Sequence, residues 1–132
     1  ALAGGAPLAA ADLAERAPFI AEFTSRLADT RLDPLALAAS CRNAAAPEVV
    51  VALQRWCYDL LSVSLAERPR YHPESLAALR EASRRCRPEK LAGFLRTLAE
   101  AARLSQHPLN AQLFFEDLLV RYSGLFAAKA GR

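Results

Sequence analysis

Few residues in this chain have the chemistry of catalysis or metal binding: it contains two histidines and three cysteines. His72 and His107 each directly precede a proline, Pro73 and Pro108. A metal site needs further ligands at loop or helical spacing, and none surrounds either histidine. Both read as turn residues or weak helix caps. Cys41, Cys57 and Cys86 lie far apart, form no CxxC pair, and are odd in number, which suits a reducing compartment. Cys57 falls on an apolar helical face, where a thiol packs as a small hydrophobe. Cys41 and Cys86 fall near helix ends. Glu116 and Asp117 are adjacent, so on a helix they point about 100° apart and cannot share a substrate atom. No GxxxxGK[ST] phosphate loop occurs. The expectation is a chain with no catalytic residues, no metal site and no cofactor, and therefore not an enzyme.

Charge offers more. The basic run Arg80, Arg84, Arg85, Arg87 and Lys90 puts Arg80 and Arg84 on one helix face and the rest around the following turn. A solvated helix end explains it, since basic side chains suit the C-terminal dipole. Phosphate contact by these residues is the alternative, although no aromatic side chains interleave as a single-strand platform requires. Asp117 and Arg121 are four apart, acid first, the favoured order for a helical ion pair. Arg55 and Asp59 are also four apart and read as a second surface pair. The formal net charge is +3, from 17 basic and 14 acidic residues, which permits nucleic-acid binding without indicating it.

The elements that hold these residues are helical. The chain has 132 residues, enough for one domain with a self-sufficient core. Its apolar share is mostly alanine and leucine, which favour helices. Isoleucine occurs once, at Ile20, where a sheet protein would be richer in β-branched residues. Pro34, Pro47, Pro73, Pro88 and Pro108 each precede an apolar helical pattern, and proline is tolerated in a first turn. The spacing predicts helices over residues 17–28, 34–40, 47–67, 73–85, 88–104 and 111–126, after a short one at 4–14. Asp33 and Asn110 are the N-cap candidates. The fold class is all-α, a compact bundle of about five to six helices. Phe23, Leu53, Trp56, Leu60, Leu98, Leu118 and Tyr122 are the expected core. The opening residues 1–11 lack a basic leader and contain Gly4, Gly5 and Pro7, so they read as the cut end of a longer chain rather than a signal peptide.

Three segments resemble one family. Residues 107–122 carry an asparagine cap followed by an apolar run into Asp117-Leu118-Leu119-Val120-Arg121. This is similar to the final helix of the delta-prime subunit of the bacterial DNA polymerase III clamp loader. Leu53, Trp56, Leu60 and Leu61 form an L-x-x-W-x-x-x-L-L pattern that resembles that family's collar helix. Gly4-Gly5-Ala6-Pro7-Leu8 resembles the glycine-rich turn near the end of its AAA+ lid. The resemblance implies residues 1–15 as the tail of the lid domain and residues 16–132 as the helical collar.

Collar domains of this family pack side by side into a ring that supports sliding-clamp loading during DNA replication. The implied partners are the delta and tau/gamma subunits, with DNA reached only through the assembled cytoplasmic complex and no membrane involved. Delta-prime itself does not hydrolyse ATP. In keeping with that, Leu8 stands where the ATPase subunits carry a phosphate-sensing arginine. Trp56, Asn110, Asp117 and Arg121 are the implied partner-interface candidates. The competing expectation is a helical nucleic-acid-binding domain that uses Arg80 to Lys90.

Overall fold

Proline and short polar caps decide where the helices begin. A computed structural model describes residues 18–29 and 31–126, and all regular structure among them is helical. Residues 18–27 form α1. Then follow α2 (Pro34–Ser40), α3 (Ala46–Ala66), a 3₁₀ turn (Pro73–Ser75), α4 (Leu76–Arg84), α5 (Pro88–Leu104) and α6 (Ala111–Gly124). The helix expected at 4–14 and the domain boundary expected at residue 15 lie outside the described residues.

Local chemistry accounts for most of these starts. Asp33 Oδ1 accepts from Leu35 N at 3.1 Å and Ala36 N at 3.2 Å, which satisfies donors that a first helical turn leaves free. Asn110 Oδ1 accepts from Leu113 N at 3.0 Å and does the same for α6. α5 begins on Pro88. Residues 73–85, expected as one helix, divide into the 3₁₀ turn and α4, a tightening common at helix N-termini. α3 ends on Glu67 at φ 58°, a left-handed cap normally taken by glycine.

α3 is the centre of the bundle, packing against α4 and α5, while α2 packs on α6. Val49, Leu53, Trp56, Leu60 and Val63 are buried along it. By length and composition α3 would also cross a bilayer, but here half of its apolar stretch is buried in the bundle. Phe23 from α1, Leu79 from α4, Leu98 from α5, and Phe115, Leu118 and Tyr122 from α6 close around it. Every core residue expected from the spacing is buried. Each such large side chain contributes about 1.5–3 kcal/mol by leaving water.

Candidate partner interface

α6 presents two different faces. Its inner face carries Phe115, Leu118, Leu119 and Tyr122 into the core. Its outer face, at steps of four, three and one, carries Leu113, Asp117, Val120 and Arg121, all exposed. Leu113 is 60% and Val120 48% exposed, and Leu109, just before the helix, is fully exposed. Large aliphatic groups left on a helix already anchored by four buried residues are available to a partner.

The position of α6 is fixed from inside. Trp56 Nε1 donates to Tyr122 Oη at 2.9 Å, and Tyr122 Oη donates to the Leu27 carbonyl at 2.9 Å. Both partners are buried, so neither polar group is left unpaired in the core. Burial pushes the Tyr122 hydroxyl well above its ordinary pKa, which keeps it a donor.

The four interface candidates therefore separate by role. Trp56 is completely buried and offers no surface to a partner; it acts through Tyr122 on the seat of α6. Asn110 caps α6 and sets where the helix starts. Asp117 and Arg121 lie on the outer face, with Arg121 Nε 3.1 Å from both carboxylate oxygens of Asp117. Both are more than half exposed, so this pair alone stabilises by only about 0.3–0.5 kcal/mol.

The family model for the C-terminal part of the DNA polymerase III delta subunit matches residues 10–124. The chain belongs to this family. No curated protein and no solved structure matches it. The family match ends on Gly124, the last residue of α6, so the two-faced helix belongs to the family's domain. The bundle is thus the C-terminal domain of a DNA polymerase III clamp-loader subunit. The matching family is named for delta, whereas the sequence resemblance pointed to delta-prime.

In this family member most of the basic run has a close acidic or aromatic neighbour. Arg80 lies 3.6 Å from Glu67, Arg84 2.9 Å from Glu81, and Arg87 3.9 Å from Glu89. Arg85 turns inward, its guanidinium carbon 5.2 Å from the Phe126 ring centroid. Its Nε is buried without a hydrogen-bond partner among the described residues. Three of the five candidate phosphate contacts thus face carboxylates and a fourth faces a ring, which leaves Lys90 as the remaining member.

Two sequence expectations need correcting. Asp59 does not pair with Arg55 on the surface; it is completely buried. Its Oδ1 accepts from Arg70 N at 2.7 Å and Tyr71 N at 3.1 Å. Its Oδ2 accepts from Tyr71 N at 2.9 Å and His72 N at 2.7 Å, and lies 2.9 Å from His72 Nδ1. His72 is thus no simple turn residue, because its ring pairs with Asp59 and stands edge-on to Trp56 at 5.4 Å. A buried carboxylate costs several kcal/mol unless donors surround it, and these backbone amides supply them. The sequence held a signal for this: Asp59 shares the apolar stripe of Trp56, Leu60 and Val63, where an isolated carboxylate requires partners.

The three cysteines are free and buried. Burial pushes the Cys41 thiol up to about 11, holds the Cys57 thiol well above its ordinary value, and raises Cys86 against the lowering effect of Lys90 and Arg85. Buried, protonated thiols are poor nucleophiles. Among the described residues no group of three or more His, Cys, Asp or Glu side chains could hold a metal.

Proposed function

We propose that this chain is a non-catalytic collar domain, of the delta-prime type, that joins the delta and tau/gamma subunits of a cytoplasmic clamp loader. The observation that carries the reading is the outer face of α6. Leu113 and Val120 stay exposed on a helix whose other face is used by the core, with Leu109 exposed just before it and Arg121 beside Val120. An apolar patch with an arginine beside it has the composition of a protein interface. The domain contributes position rather than chemistry. A rigid helix, seated by the Trp56–Tyr122 bond and started by Asn110, offers a defined surface to the neighbouring subunit.

The delta-prime reading rests on the sequence patterns around Trp56, Asn110 and Asp117 to Arg121, beside a family named for delta. A domain exchange tests it. This chain is grafted in place of the C-terminal domain of a delta-prime subunit, and separately of a delta subunit. Assembly with the remaining subunits is then followed by size-exclusion chromatography. Recovery of the complex with the delta-prime graft and failure with the delta graft is the expected result. The reverse outcome replaces delta-prime by delta.

A further inference from the structure

The stretch that Asp59 holds by its backbone carries an exposed cluster. Tyr71 lies with its ring centroid 5.2 Å from the Arg55 guanidinium carbon and 5.5 Å from that of Arg70. Tyr58 meets the same ring edge-on at 5.8 Å. Tyr58 and Tyr71 are 44% and 41% exposed, and both arginines are exposed. Among the described residues neither guanidinium lies within ion-pair distance of a carboxylate, unlike Arg80, Arg84 and Arg87. The nearest acid in sequence, Asp59, is consumed by the amides of residues 70–72.

This is an unusual combination for a helical surface. Long basic side chains normally swing free in water, but here two are gathered on one aromatic ring by cation–π attraction. The backbone beneath that ring is fixed by charge-assisted hydrogen bonds from a buried carboxylate, so the ring is presented rather than merely exposed. Guanidinium planes and tyrosine rings both offer flat faces on which bases stack, and the two positive charges attract phosphate. An acidic protein segment would satisfy the charges and leave the stacking faces unused.

We infer that Arg55, Tyr58, Arg70 and Tyr71 form a contact site for single-stranded nucleic acid, separate from the outer face of α6. In the Arg80 to Lys90 run, Arg80, Arg84 and Arg87 face carboxylates, so the contact does not draw on those three.

The test is fluorescence anisotropy of a labelled oligodeoxythymidylate of about 20 nucleotides, titrated with this chain at several salt concentrations. Binding that weakens with salt is expected. Replacing Arg55→Gln and Arg70→Gln together should weaken it about tenfold or more and flatten the plot of log affinity against log salt by about 1.4, roughly 0.7 for each lost charge. Tyr58→Ala with Tyr71→Ala should weaken it about fivefold or more with the salt slope kept, since stacking carries no charge. The Tyr71 amide remains available to Asp59 in that variant, and circular dichroism checks that each protein folds. Arg80→Gln, Arg84→Gln and Arg87→Gln together should leave binding unchanged. Absence of binding at about 50 mM salt overturns the inference. So does an equal loss in the two arginine variants, which would mean unspecific charge attraction. Loss of subunit co-elution without loss of oligonucleotide binding would instead make the cluster a protein interface and also overturns it.

Discussion

Tyr122 Oη accepts a hydrogen bond from Trp56 Nε1 at 2.9 Å and donates one to the Leu27 carbonyl at 2.9 Å, so one oxygen links α3, α6 and α1. Phenylalanine would fit the same space but would leave a buried N–H and a buried carbonyl unpaired. Tyr122→Phe should therefore destabilise the domain by about 1–3 kcal/mol. Urea unfolding followed by Trp56 fluorescence measures this. A loss below about 0.5 kcal/mol would mean that water or backbone shifts replace both bonds.

Asp59 supports the stretch from Arg70 to His72 by charge as well as shape. Asp59→Asn keeps the volume but turns an NH2 group toward backbone donors. It should cost about 1.5–3 kcal/mol, the usual worth of hydrogen bonds to a charged group. The amides of Arg70, Tyr71 and His72 should also exchange with solvent much faster, while those in the middle of α5 are unaffected. Unchanged exchange at these three amides would show that the stretch holds its course without the carboxylate.

The contrast between these two residues marks what the sequence could reveal. Helix starts were legible because their causes are local: Asp33 sits one residue before Pro34, and Asn110 caps within three residues. The core was legible because period and burial coincide along α3 and α6. Asp59 was misread because the spacing to Arg55 matches a surface pair, while its true partners lie 11 to 13 residues onward in a stretch with no periodic pattern. The Arg55–Tyr71–Arg70 cluster was missed for the same reason, since it exists only once Asp59 has drawn residues 70–72 against α3. The inward turn of Arg85 depends on Phe126, which belongs to another element.

Buried thiols give the domain a pH dependence. Cys41 titrates near 9.0 when exposed and is pushed up to about 11 by burial in the fold. Between those values the unfolded chain has lost the proton that the folded chain still holds, so the unfolded state binds fewer protons and stability falls as pH rises. Thermal melts should decline from pH 9.0 to about 11, and Cys41→Ala should reduce that slope. An unaltered slope in the variant would assign the decline to other groups. At neutral pH all three thiols should react with a disulfide reagent only after the protein is unfolded.

Asn110 acts on the outer face of α6 only through the helix it starts. Asn110→Ala should cost about 0.5–2 kcal/mol by releasing the Leu113 amide. Amide exchange should rise in the first turn of α6 and not at Tyr122. Even protection along the whole helix would show that the cap is dispensable.

The outer face of α6 is tested most directly by one chromatographic experiment. Leu113→Ser and Val120→Ser are combined, because both side chains are exposed and their loss should change stability by no more than about 0.5 kcal/mol each. The variant is mixed with the remaining clamp-loader subunits and run on a size-exclusion column beside the unaltered chain. A folded variant that elutes apart from the subunits, while the unaltered chain co-elutes, is the expected result. Co-elution of the folded variant at physiological salt would contradict the assignment of this face as the partner interface.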